Sequence, residues 1–309
     1  MKHFSANIYM QKPLRYYAVA FLFITGLLTG CESYTPKSTN NSNPPATVYN
    51  KPVSTQGNVQ QPSQAKSSGL LDPGLPAGTL NEQVVRHLGY TLSYNEEHEL
   101  ASWVAYTLKV SHLSGKEKRS DDFRADPAVR TGSAEPDDYK YSGYDRGHLA
   151  PAGDMKWSRK AMSESFLMSN IAPQARAFNA GIWETLESTI RGWARKDSAL
   201  HIVTGPVLYG NLQIIGKNKV TVPEYYYKAV LDAQEPVIKC IAFVIPNRQS
   251  SQPLKNYAIS VDSLEAMIKL DLFPGLPDDI ENEIEKNLFI NQWQFGAQKT
   301  YRKTKKPSK

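Results

Sequence analysis

Cysteine is nearly absent from this chain. Only Cys31 and Cys240 occur in 309 residues; if Cys31 is modified no intramolecular disulfide can form, and the core must hold without one. The histidines show no His-x-x-x-His spacing and there is no Cys-x-x-Cys pair, which excludes the usual zinc arrangements. An apolar run does occur at residues 18–28, but it is too short for an ordinary membrane span. Basic charge is scarce where a globular domain would need it for a cationic surface. Residues 77–298 hold 24 Lys/Arg against 28 Asp/Glu, while residues 299–309 alone hold six Lys/Arg. A generally basic face is therefore excluded, and any polyanion groove must be local. The tail itself reads as a solvated terminus or as a flexible phosphate-binding arm.

Aromatic and aliphatic residues are also sparse at residues 32–69, which are rich in Ser, Pro, Asn, Gln and Thr. Such a segment cannot bury enough apolar area to offset its chain entropy, so it reads as a disordered tether with a reach of about 30–40 Å. Ahead of it, Lys2, Lys12 and Arg15 precede the apolar run, which ends in Leu28-Thr29-Gly30-Cys31. This resembles a bacterial lipobox, with cleavage before Cys31 and acylation of its thiol; the alternatives are a plain signal peptide or an anchor helix. More than one acyl chain gives stable attachment, which implies a protein on the outer face of a bacterial membrane, inner or outer. The expected organisation is a lipoprotein signal at 1–30, a lipidated Cys31 and tether at 31–69, a domain at 70–298 and a basic tail at 299–309.

Within the domain, residues 88–94 and 101–110 carry Thr, Tyr and Val in strand-like patterns. Residues 116–142 are polar with Pro127, Gly132 and Pro136, a loop long enough to imply function. Short strands are expected at 141–148 and 166–171. Ile182, Leu186, Ile190 and Trp193 recur at helical spacing and predict a helix over 179–196. Strands are expected at 200–209, and at 222–232 and 237–246 as a hairpin. Asp262-Ser-Leu-Glu265 has the pattern of a capping box, and a second helix is expected at 278–288. The fold class is α+β: a mixed, mainly antiparallel sheet with packed helices. Cys240 reads as a buried strand residue, Trp183 as core, and His87, His98, His112 and His201 as structural or surface residues.

The chemistry concentrates in Tyr144-Asp145-Arg146-Gly147-His148-Leu149-Ala150-Pro151, followed by Asn179-x-x-x-Trp183-x-x-x-Glu187. A histidine base, an arginine, and an amide plus carboxylate for a hard metal are the parts needed to hydrolyse a phosphodiester. The Asp-Arg-Gly-His-x-Ala-Pro run resembles the signature of the DNA/RNA non-specific endonucleases, the Serratia and cyanobacterial nuclease group with a ββα-metal motif. The resemblance extends to Arg119-Ser-Asp-Asp-Phe-Arg124, to Phe166-Leu-Met-Ser-Asn170-Ile-Ala-Pro-Gln174, and to later strands around residues 200–206 and 222–228.

What the resemblance implies is residue-specific. His148 would be the general base, consistent with an imidazole pKa near ~6.5 that leaves a neutral fraction at physiological pH. Asn179 would bind magnesium directly, with manganese as the alternative ion, and Glu187 would act on it through a bound water. Arg146 would shape the site and counter the phosphate, and Arg119 would stabilise the transition state. Asn170 would lie on the second strand near the site, while Asp145 reads as a structural acceptor. A continuous helix would put Glu187 about 80° round and about 12 Å along from Asn179, too far for one bare ion. The expectation is a membrane-tethered endonuclease with little preference between DNA and RNA, leaving 5′-phosphate ends. One rival is a non-catalytic envelope protein that binds nucleic acid, against which stands the intact His148, Asn179 and Glu187 set. The other is a secreted toxin-like nuclease, against which stands the lipobox.

Overall fold

The structure, a computed structural model, describes residues 71–296. The signal segment, Cys31, the tether and the basic tail lie outside the described residues. Three strands open the domain: β1 (Gln83–Arg86), β2 (Thr91–Asn95) and β3 (Leu100–Lys109). The strand expected over 88–94 is β2, starting only at Thr91, and it pairs with β1, a strand that was not expected; the two are joined by a turn in which the His87 backbone N–H donates to the Tyr90 carbonyl at 2.8 Å. Next come β4 (Asp145–His148), the short helix α1 (Arg159–Glu164), β5 (Ile171–Gln174), the helix α2 (Glu184–Asp197) and β6 (Ala199–Pro206). A small pair, β7 (Gln213–Ile215) and β8 (Val220–Val222), precedes the hairpin of β9 (Tyr225–Asp232) and β10 (Lys239–Pro246). β11 (Ala258–Ile259), α3 (Val261–Ile268) and α4 (Asp278–Ile284) complete the described elements.

The main sheet has seven strands in the order β1-β2-β3-β6-β9-β10-β11, and every neighbouring pair is antiparallel. Successive residues point to opposite faces, and both faces are covered, so the inner strands read as nearly continuous apolar runs. On one face Tyr106, Ile202, Val230, Ile241 and Phe243 meet Leu186, Ile190 and Trp193 of α2. On the other, Trp103, Val203, Leu231 and Ala242 meet Val261 and Leu264 of α3 and Ile284 of α4. Cys240 is buried on that second face, its thiol donating to the Ile284 carbonyl at 3.1 Å. Among the described residues no helix is long and apolar enough to cross a membrane.

Two expected elements move. Residues 166–170 are not strand: Met168–Asn170 forms a 3-10 turn, and β5 starts only at Ile171. α3 is capped by Ser260, whose side chain accepts from the Ser263 N–H, two residues earlier than the capping pattern at Asp262 implied.

Candidate active site

β4 and β5 pair antiparallel, with His148 opposite Ile171 and Gly147 opposite Ala172. The close approach requires a glycine there, since a Cβ on Gly147 would sit 2.1 Å from the Gln174 side chain. With α2 following, this is the ββα unit the sequence implied. The join is not a plain helix. Phe178–Trp183 forms one wide π-type turn, broken at Gly181 (φ −120°, ψ −108°), and α2 proper begins at Glu184. Such turns cluster at functional sites. Gly181 lies between Asn179 and Glu187, so the separation expected of a continuous helix does not apply.

His148 is 8 % exposed, and its Nε2 is buried without a hydrogen-bond partner. Phe123 and Phe166 wall the ring, with centroids 5.6 Å and 4.7 Å away. Burial, reinforced by the Arg119 guanidinium, pushes the imidazole down to about pH 3 for half-protonation, so it is neutral at physiological pH. Phe123 is delivered by the long loop. That loop is fastened by backbone hydrogen bonds between Arg124 and both Phe166 and Met168.

The two arginines lie on this aromatic wall. The Arg119 guanidinium sits 4.7 Å from the Phe166 ring centre, and that of Arg146 sits 4.2 Å from the Phe123 ring centre. Arg119, Phe123, Lys140, Tyr144, Arg146 and Asn179 line an open cleft of about 400 Å³. The groove is locally basic, as the charge count demanded. Asn179 Nδ2 donates to Asp145 Oδ2 at 3.1 Å, which leaves the amide oxygen as the group able to meet a cation. A neutral oxygen beside a part-exposed carboxylate, opening on a cleft, suits a hard divalent ion that keeps most of its own waters.

Asn170 has a different place from the one expected. It is fully buried, its Oδ1 accepts from the Ala150 N–H, and its Nδ2 donates to the carbonyls of Ala150 and Ser165, each at 2.9 Å. It clamps the turn that follows His148 and cannot touch a substrate, because its amide is spent inside the protein. Lys228 grips the same turn, its Nζ donating to the Leu149 carbonyl at 3.1 Å.

Neither His148 nor Glu187 is among the residues lining the cleft: His148 lies behind Phe123 and Arg119, and Glu187 has surroundings of its own. It belongs to a charged cluster with Lys228 and Asp154, which are buried, and Arg191, which like Glu187 is half-buried. Arg191 donates to Asp154 Oδ1 at 2.9 Å and stands 3.9 Å from Glu187, while the Tyr106 hydroxyl donates to the other Asp154 oxygen at 3.0 Å. Burial pushes the Glu187 carboxyl up and the Lys228 ammonium down, each opposed by the other's charge. Lys228, Arg191 and Asp154 are absent from the sequence reading. Lys228 did carry a signal: it shares an inward face with Tyr226 and Val230 in a strand that is otherwise apolar or aromatic up to its last residue, Asp232. Lys228→Met removes one cation from the buried Asp154 carboxylate and the half-buried Glu187. It is expected to cost about 3–5 kcal/mol, read as a lower urea midpoint. An unchanged midpoint would mean the carboxylates are already neutral.

The four other described histidines are structural. His87 pairs with Asp126, His98 with Thr221 and His201 with Thr107, while His112 stacks on Trp157.

A mixed α+β fold with a basic cleft, a buried neutral histidine and a ββα unit fits a nuclease class. Comparison with known proteins places the chain within it. The family described as DNA/RNA non-specific endonuclease matches residues 66–279, and the chain belongs to that family, whose members are phosphodiester hydrolases. It is 31% identical over 277 residues to a nuclease of Nostoc, covering 86% of this chain and 95% of that protein. It is 37% identical over 207 residues to the mitochondrial nuclease EXOG of Danio rerio, a match spanning 62% of this chain and 60% of that relative's length. The EndoG of a solved EndoG/EndoGI inhibitor complex shares the fold, with a TM-score of 0.62 and 27% identity over 70% of this chain and 95% of that one.

Proposed function

We propose that this protein hydrolyses phosphodiester bonds in DNA and RNA with a divalent cation, magnesium first, and leaves 5′-phosphate ends. The observation that carries the reading is His148: a buried imidazole, held neutral, with an unpaired Nε2, beside two arginines and an open cleft. A phosphodiester repels hydroxide and loses an alkoxide poorly, so hydrolysis needs an activated water, neutralised charge and help for the departing oxygen. His148 takes the proton from the attacking water. As the anionic phosphate meets Arg119 it offsets the cation that depresses the imidazole, so basicity rises when substrate is present. Arg119 and Arg146 draw the phosphate in and hold its charge. The Asn179 amide oxygen would hold the cation, which supplies charge neutralisation and a more acidic water when bound. Glu187, set by Lys228 and Arg191, would act on the cation's hydration rather than by direct contact.

Lack of sequence preference follows from a cleft whose cations meet phosphates rather than base edges. Digestion of plasmid, single-stranded DNA and RNA by the full chain, with end mapping of the products, tests this. Cutting of all three with 5′-phosphate termini is expected; cleavage confined to one short sequence, or 3′-phosphate ends, would refute it.

The same proposal places the protein on the outer face of a bacterial membrane, anchored through Cys31. The support is the Leu28-Thr29-Gly30-Cys31 sequence and the polar, aromatic-poor segment after it. Cys31→Ser has no thiol to acylate, so fatty-acid label should vanish and the protein should leave the membrane fraction or stay uncleaved. Label retained on the serine variant would remove the anchor.

A further inference from the structure

We propose that Asp262, Glu265 and Glu285 form a second cation site, taking one calcium-like divalent ion between α3 and the end of α4, remote from the catalytic residues in sequence and on the opposite face of the sheet from α2. One carboxylate oxygen from each residue lies within 4.8 Å of the other two. Donors around calcium stand at about 2.3–2.6 Å, so opposed oxygens are about 4.6–5.2 Å apart, and an ion of this size fits without the three moving away from one another.

The cluster would carry little if all three groups were solvated or paired; Asp262 is exposed, but Glu265 is half-buried and Glu285 is buried, and none of the three meets a cationic side chain among the described residues. Glu285 is only 1 % exposed, its Oε1 has no hydrogen-bond partner, and it is one of the three converging groups. The charged groups acting on it are Glu265, Glu281, Asp271 and Asp262, all acids. Among the described residues no Lys or Arg makes an ion pair with any of these five. Asp271 Oδ1 is a further buried oxygen without a partner. A buried, unpaired carboxylate costs heavily, and a cation is the group that satisfies several at once. The frame is already built: the Asp262 N–H donates to the Glu285 carbonyl at 3.1 Å, and Glu265 Oε1 accepts from the Leu272 N–H at 2.7 Å. All donors are oxygens, which favours calcium or magnesium over zinc, and carboxylates held by side chains from two separated helices favour the larger, more tolerant ion. Such an ion would pin α3 and α4, which pack with the second core on that face of the sheet.

The test is calorimetric titration of the full chain with calcium chloride, in the parent and in Asn179→Ala, where the catalytic ion's direct ligand is gone. One calcium per chain should persist in Asn179→Ala, and the thermal midpoint should rise with calcium. Glu265→Gln/Glu285→Gln should lose the isotherm and the calcium-dependent rise. Plasmid cutting by this variant in magnesium should stay near the parent's, which shows that it folds. Asp262→Asn, a conservative change at an exposed position, should weaken binding about tenfold, since affinity follows ligand charge. No calcium-dependent heat or midpoint shift in Asn179→Ala, or an isotherm that survives all these substitutions, would overturn the site while leaving the catalytic reading untouched.

Discussion

His148→Ala should lower turnover by about 10²–10⁴-fold while nucleic-acid binding stays near the parent's. The imidazole is walled by Phe123 and Phe166 and makes no hydrogen bond through Nε2, so its removal takes away a proton acceptor and no phosphate ligand. Arg119 and Arg146, which carry the positive charge of the cleft, remain. The pH dependence has a definite sign. An ordinary imidazole loses its base form as pH falls through about 6.5. Here burial and Arg119 hold the proton off, so the free enzyme keeps its base well below that pH, down toward about 3. Loss of activity on mild acidification would therefore have to come from another group, and Glu187, whose carboxyl is pushed up by burial, is the candidate. Single-turnover cleavage and filter binding on one DNA duplex separate the two quantities. A variant that keeps more than about half the parent's turnover would remove His148 from the chemistry.

Asn179→Ala should nearly abolish cutting and shift the magnesium dependence to higher concentration. The amide's nitrogen is committed to Asp145, so its oxygen is the group left to face the cleft. Alanine leaves Asp145 without that donor and the cation without its direct protein ligand. Glu187→Gln behaves differently in this account. It keeps shape and loses charge inside the Lys228, Arg191 and Asp154 cluster, so a loss of about 10–100-fold is expected, as for groups that act on an ion from behind its ligands. Titrating magnesium against initial rate for both variants distinguishes them. An Asn179→Ala protein with the parent's rate and the parent's magnesium dependence would put the ion elsewhere.

The residues legible in the sequence were those tied to a rigid local pattern. The Asp-Arg-Gly-His run announced β4 because Gly147 is forced by its contact with Gln174, and Asn179 and Glu187 followed at a fixed spacing. The amphipathic face of α2 was equally plain, since Leu186, Ile190 and Trp193 all enter one core. What was illegible depends on contacts between distant segments. Phe123 reaches His148 only because Arg124 is bonded to Phe166 and Met168, and nothing local in the polar loop reveals that. Asn170 looked like a site residue because its segment resembles the family's second strand. Three hydrogen bonds to Ala150 and Ser165 make it a brace instead, and the turn they impose delays β5 to Ile171. The π-type turn at Phe178–Trp183 escaped because its apolar residues keep a helical spacing across the break at Gly181. Lys228 pairs with groups on α2 and on the turn after β4, a meeting that only the folded sheet creates.

The central claim is a cation-dependent cleavage at the cleft beside His148, and plasmid digestion by the full chain with magnesium and with excess chelator tests it most directly. The account predicts conversion of supercoiled plasmid to nicked, linear and then short products with magnesium, none with chelator, and recovery when magnesium is restored. Cleavage that continues unchanged in chelator, or a purified, folded chain that binds plasmid without cutting it under any divalent ion, would contradict it.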